Sequence, residues 1–189
     1  DVDAPTVNKN VGGTVELNMQ TISGEDVQYC WSKTNDASTV ANWQDSTTFS
    51  SLSIGDTYYF FTRVKENGNH QAKASTGTSV VPVAATLTGI TISGDNTATV
   101  PTKDNTTTVN LTATGSYNDG TNSSVTNSAT WTVDPAYAGV SVSNGVVTIQ
   151  PSAAAGSVTI KAEYGGQSNT HTITLSKATA TLTTLTISG

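Results

Sequence analysis

The chain has 189 residues, of which 35% are hydrophobic and only 12% charged, with a formal net charge of −6. Eight Lys and Arg against fourteen Asp and Glu leave no basic stripe, which argues against a nucleic-acid partner and against insertion into an anionic membrane. A single cysteine, Cys30, excludes an internal disulfide, and no apolar run approaches the ~18 residues that suggest a spanning helix.

Small hydroxyl side chains are abundant, at 36 Thr and 21 Ser. They would suggest disorder only together with high charge and few β-branched residues. Here charge is low and Thr, Val and Ile dominate; branching at Cβ suits a pleated, half-exposed surface. An ordered all-β chain is expected.

In chain order, the first half offers strand-like segments at 14–19 (TVELNM), 27–33 (VQYCWSK), 42–49 (NWQDSTTF), 57–66 (TYYFFTRVKE) and 72–83 (AKASTGTSVVPV). Aromatic residues gather here: Tyr29, Trp31, Trp43, Tyr58, Tyr59, Phe60 and Phe61. Alternation cannot turn them all inward. If Tyr58 and Phe60 face a core, Tyr59 and Phe61 face out, either beneath the long 34–46 loop or open to a partner. Trp31, Trp43, Tyr59 and Phe61 are the candidate ligand contacts, because pyranose faces stack on such rings and contiguous exposed apolar surface marks interaction sites.

At "VVPVAAT" (80–86), Pro82 cannot donate to a central ladder and so suits a strand end. A boundary is expected there, between residues 1–84 and 85–179. The junction is a few small residues rather than a flexible Gly/Ser linker, as expected of domains stacked end to end in a semi-rigid rod.

The second half continues with segments at 89–94 (GITISG), 107–115 (TTVNLTATG), 129–134 (ATWTVD), 139–143 (GVSVS), 145–150 (GVVTIQ), 156–164 (GSVTIKAEY) and 170–176 (THTITLS). Along 156–164, Val158, Ile160, Ala162 and Tyr164 share one face and Thr159, Lys161 and Glu163 the other. Asn67-Gly68, Asp119-Gly120 and Asn144-Gly145 are turn dipeptides, since these residues tolerate positive φ. No segment sustains a helical period. Short strands with regularly spaced turns point to a sandwich or barrel.

The closing "ATLTTLTISG" (180–189) repeats "ATLTGITISG" (85–94) at eight of ten positions, 95 residues on. That period is too long for a solenoid unit and suits a whole sandwich of ~100 residues. Residues 180–189 therefore read as the truncated first strand of a further repeat. The N-terminal "DVDAPTVNKN" has no charged-then-apolar leader, so the chain is either cytosolic or a piece whose targeting segments lie elsewhere. The repeat favours the second.

Residues 85–177 resemble the bacterial immunoglobulin-like group 2 family. The resemblance is carried by Tyr117, Asp119 and Gly120 in a Y-x-D-G turn, by Val125 and Thr126, and by Trp131 on a core strand. Asn144, Gly145 and Val146 form the following hairpin, and Gly156, Ile160, Ala162 and Tyr164 form a G-x-x-x-I-x-A-x-Y strand. In the first half, "FSSLSIGDTYYFFTRV" (49–64) resembles the tyrosine-corner segment of fibronectin type III-like sandwiches. Leu52, Gly55 and Tyr58 match L-x-P-G-x-x-Y, with Ile54 where Pro is usual. The two resemblances together imply tandem Ig-like sandwiches of a large bacterial surface or secreted protein.

Chemistry is sparse. Nucleophilic catalysis needs a base beside its nucleophile, yet His70 and His171 stand far apart in polar segments, and Cys30 between Tyr29 and Trp31 reads as an inert core thiol. Asp95, Asp104, Asp119 and Asp134 all sit at turns, where Asp bonds to local backbone. No zinc or phosphate motif is present. The expectation is no enzyme, no catalytic, cofactor or metal residue, with Ca²⁺ at a domain junction compatible with hard oxygen ligands. The expected role is a stalk that supports other domains from the cell surface, with neighbouring domains of the same chain as partners. Competing roles are a surface-layer lattice subunit and a module binding cell-wall or other polysaccharide beside a degradative enzyme.

Overall fold

The computed structural model describes residues 2–68, 71–102 and 105–178. The chain divides into two compact units, Asp1–Thr86 and Leu87–Gly189. Both are all-β, Ig-like sandwiches.

In the first unit the strands are β1 (Val7–Val11), β2 (Thr14–Leu17), β3 (Val27–Ser32), β4 (Thr48–Phe49), β5 (Tyr58–Val64), β6 (Lys73–Ala74) and β7 (Thr78–Val80). One sheet has the order β1-β2-β4; the other runs β3-β5-β6, with β7 also on β5. In immunoglobulin terms this is A-B-E against C-F-G, the last strand broken in two. Between the sheets lie Val15, Leu17, Tyr29, Phe49, Leu52, Tyr58, Phe60 and Val80.

Two expectations change here. Of the segment 42–49, only Thr48–Phe49 is strand, and Gln44 makes a single bridge to Tyr29. Residues 37–39 form a 3-10 turn capped by Asp36, whose side chain accepts from Ser38 N–H, so this stretch is a loop folded over the sheet. The segment 72–83 is interrupted after Ala74, where Ser75 turns inward and is buried. The strand β1 escapes a hydrophobic reading because most of it is exposed. The signal for it is Gly12-Gly13, both with positive φ, which closes the two-residue hairpin Val11↔Thr14.

The second unit contains β8 (Leu87–Gly94), β9 (Thr97–Val100), β10 (Thr107–Tyr117), β11 (Asn122–Ser124), β12 (Thr130–Val133), β13 (Val140–Ser143), β14 (Val146–Ile149), β15 (Gly156–Tyr164) and β16 (Gln167–Lys177). One sheet is ordered β11-β10-β14-β13, with β8 on the free side of β10. The other is β12-β15-β16-β9, β9 lying parallel to β16. The order is A-B-E-D against C-F-G, as in a constant-type immunoglobulin sandwich. Its first strand crosses from one sheet to the other at Gly94, whose φ is +151° and whose missing Cβ would stand 2.6 Å from Asn110 O.

Alternation along β15 is as read: Val158, Ile160 and Ala162 are buried, while Thr159, Lys161 and Glu163 lie on the outward face. Trp131 on β12 is 9% exposed and donates its indole N–H to Thr126 O at 2.8 Å. Asn144 and Gly145, at φ 47° and 78°, form the two-residue turn between β13 and β14. The decapeptide 180–189, read above as the start of a further repeat, lies outside the described residues.

Candidate functional site

The four candidate aromatics of the first unit do not form one platform. Cross-strand register places Trp31 opposite Phe60, and Ser32 opposite Tyr59. Trp31 therefore shares the core-facing side of its sheet, whereas Tyr59 and Phe61 are on the reverse side.

Phe61 points outward but is only 1% exposed, so it is not available to a ligand. The physical reason is the break between β6 and β7. Gly77 lies so close that a Cβ there would be 2.8 Å from Phe61 Cε1 and would also strike Asn35; only glycine lets the backbone lie on the ring. Cys30, the cross-strand partner of Phe61, is buried on the same side as a free thiol. Burial pushes its pKa from 9.0 up to about 12, the nearby positive charge of Arg63 opposing this only in part.

Trp43 belongs to the loop that covers this reverse side. Its indole N–H donates to Val40 O at 3.2 Å, and the Arg63 guanidinium stacks 4.5 Å from its ring. Arg63 also donates Nε and Nη2 to Gln28 Oε1, at 3.1 and 2.7 Å. Gln28 Nε2 in turn donates to Asp45, which pairs with Lys65 at 3.2 Å. These contacts, the Gln28 hydrogen bond first, hold the Asp45 pKa below its ordinary value. One face of Trp43 is thus taken by Arg63. Tyr59 is half-buried, beside Ser32 and Ser79.

Trp31 remains, at 39% exposed. It lies on β3, the edge strand of the sheet β3-β5-β6. A cleft of about 350 Å³ opens there, whose lining includes Trp31, Lys33, Val40, Ala41, Asn42 and Phe49. The Trp31 and Tyr58 rings form a T-shaped pair, with centroids 4.9 Å apart and planes at 76°.

Tyr58 is itself fixed. Ser53 N–H donates to its hydroxyl at 3.0 Å, the tyrosine corner that Leu52, Gly55 and Tyr58 signalled, and it forms with Ile54 in place of Pro. Lys33 Nζ sits 3.7 Å from the Tyr58 ring centroid and 2.7 Å from Asp56. The Ser53 hydrogen bond, with the Lys33 charge behind it, lowers the Tyr58 pKa; the Asp56 hydrogen bond raises that of Lys33.

In the second unit the titratable groups serve local structure. His171 Nε2 lies 3.1 Å from Asp95 O, tying a strand to the turn where β8 becomes β9. Asp119 accepts from Thr121 N–H at 2.9 Å and Lys161 pairs with Glu163 at 2.6 Å. Among the described residues no three His, Cys, Asp or Glu side chains converge as metal ligands, and no helix is long and apolar enough to cross a membrane. His70 and Asp104 lie outside the described residues.

No family model and no curated protein matches this chain. Among solved structures it is similar to the surface layer protein SbsC, domains 1–6, at 16% identity over 94% of this chain, with a TM-score of 0.49. A second S-layer structure, rSbsC(31-844), gives 15% identity over 94% and a TM-score of 0.48. The chain spans 27% of the length of each. The titin domains Z1Z2, in complex with telethonin, are 12% identical over 95% of this chain and 100% of that one, with a TM-score of 0.40.

Proposed function

We propose that the chain is a pair of non-catalytic spacer modules within a larger bacterial cell-surface or secreted protein, the first fibronectin type III-like and the second of the group 2 Ig-like kind. Their work is mechanical: each buries its own core and holds neighbouring domains at a distance from the envelope.

The supporting observation is how the recurrence at 180–189 compares with the surroundings of β8. Two positions differ, Gly89 against Thr184 and Ile90 against Leu185. Ile90 is buried in the second core, and Leu keeps that chemistry. A Cβ at Gly89 meets nothing within 4 Å, so Thr fits. Gly94, where no side chain fits, recurs as Gly189. The decapeptide therefore retains what β8 needs and varies only where β8 tolerates it.

Limited proteolysis of the parent gene product, with mass spectrometry of the resistant fragments, tests this. Resistant fragments following residue 180 at a spacing of ~100 residues, the size of one sandwich, are expected. A single large resistant body with hydrolytic or transferase activity residing in residues 1–178 overturns the proposal.

A further inference from the structure

We propose that the cleft beside Trp31 is a binding site for one uncharged pyranose ring of a glycan, with the exposed indole face as its floor. This goes beyond the spacer role and does not depend on it.

The argument begins with placement. Trp31 occupies a core-facing register position, opposite Phe60, yet on β3, the edge strand of its sheet, it is 39% exposed. The exposed part of the ring forgoes burial at roughly 25 cal/mol per Å², which a stacked ligand would recover.

Orientation comes next. The ring is not loose, for it packs T-shaped with Tyr58, and Tyr58 is locked by Ser53 N–H on one side and by the Lys33–Asp56 pair on the other. An aromatic platform fixed in advance loses little entropy when a ligand stacks on it.

The lining then selects the ligand. Asn42 brings a carboxamide to the cleft, Thr39 (whose hydroxyl donates to Asp36 O at 2.8 Å) and Gln44 (whose Nε2 donates to Ser46 O and Thr48 O at 2.9 Å) keep oxygens that can accept, and Val40, Ala41 and Phe49 add apolar wall. Such a rim supplies both donors and acceptors and suits a molecule whose edge is hydroxylated and whose face is C–H. The only charge at the margin, Lys33, is already neutralised by Asp56 at 2.7 Å, which favours a neutral ring over a uronate or a phosphorylated sugar. The volume, about 350 Å³, lies at the small end of the ~300–1,000 Å³ range of ligand sites and limits the contact to a ring or two of a longer chain.

The other aromatics do not extend the floor. Trp43, Tyr59 and Phe61 belong to the opposite side of the sheet, so a polysaccharide cannot span them and Trp31 together.

The test uses the whole chain and its three tryptophan indole N–H signals in ¹H–¹⁵N NMR. Titration with neutral oligosaccharides (cellohexaose, mannohexaose, maltohexaose and chitohexaose) is expected to shift the Trp31 indole signal with at least one of them, leaving Trp43 and Trp131 in place. Polygalacturonate is expected to give no shift. Trp31→Ala should weaken the interaction about tenfold or more, as loss of a central aromatic anchor does, while Trp43→Ala leaves it within about twofold. Trp31→Phe, which keeps a flat ring, should restore part of it, and the spectra of the variants report whether each is folded. The proposal is overturned if no oligosaccharide moves the Trp31 signal at about 10 mM, well above the 1 mM dissociation constant of a weak site. It is equally overturned if Trp43 alone responds, if the charged polymer shifts Trp31 as strongly, or if only an apolar probe such as indole does.

Discussion

The two sandwiches share an A-B-E against C-F-G frame, to which the second adds a D strand and a parallel edge strand, and they fill it differently. The first packs Tyr29, Phe49, Tyr58 and Phe60 between its sheets and buries Phe61 and Cys30 on the reverse side. The second relies on Val, Ile, Leu and Ala, with Trp131 as the sole buried aromatic among its described residues. Aromatic filling brings polar handles. Tyr58 anchors Ser53 and Tyr29 anchors Gln20 N–H at 2.6 Å, so the first core orders the loops around it, including the margin of the Trp31 cleft. Aliphatic filling brings none of this, and the second unit sets its corners with glycines instead. One frame thus accommodates an aromatic and an aliphatic filling.

The largest effect expected is from Phe60→Ala, which deletes the ring at the centre of the first core and should cost about 3–5 kcal/mol. Urea denaturation in a Trp131→Phe background leaves Trp31 and Trp43 as reporters of the first unit. An unmoved midpoint there would mean that the aromatic core is not what holds the unit. For the second unit the matching substitution is at a turn. Gly145→Ala forces a Cβ against Leu111 O at φ +78°, so overpacking of about 1–3 kcal/mol is expected together with strain from the left-handed conformation. The readout is the Trp131 transition of the otherwise unaltered chain.

Tyr58→Phe separates the handle from the ring. Removing the hydroxyl leaves Ser53 N–H without its acceptor, at a cost of about 1–2 kcal/mol, and the Trp31 indole signal should broaden or shift as its support loosens. Cys30 gives a pH signature of the buried reverse side. In the folded chain the thiol stays protonated to about pH 12, whereas the unfolded chain releases that proton near 9.0. The native state then binds more protons than the unfolded one, so this contribution to stability is intact below pH 9 and is lost as pH rises toward 12. Denaturation midpoints of the chain and of Cys30→Ala, compared at pH 8 and pH 10.5, should converge as pH rises. Parallel lines would show that the thiol is not shielded.

Much of this was legible in the residues. The Asn144-Gly145 turn and the alternation of β15 follow from local chemistry that no distant contact overrides, whereas the tyrosine corner and the core position of Trp131 were legible only through resemblance to known sandwiches. What escaped depended on packing between segments far apart in sequence. Alternation correctly turned Phe61 outward, but outward meant under Gly77 and Asn35 rather than into water. Of the loop 33–47, Gln44 bridges to Tyr29 and Thr47 O accepts from Leu17 N–H, pairings that no hydrophobic pattern announces. Trp31 is the converse case: its register position faces the core, yet on an edge strand it stays 39% exposed.

The smallest effect has the opposite sign. Thr62 faces inward on β5, is 0% exposed, and its Oγ1 finds no hydrogen-bond partner, although its backbone N–H is bonded to Ser75 Oγ at 3.0 Å. A buried hydroxyl without a partner carries a desolvation cost with nothing to offset it. Thr62→Val replaces the hydroxyl by a methyl of similar size and leaves the Ser75 bond to the backbone in place, so a gain of about 1 kcal/mol is expected. The midpoint of the first unit should rise, while Thr62→Ala, which also opens a small void, should not raise it. A Val variant less stable than the parent would mean that the hydroxyl is satisfied in solution, and that the aromatic sandwich is as free of internal conflict as its aliphatic neighbour.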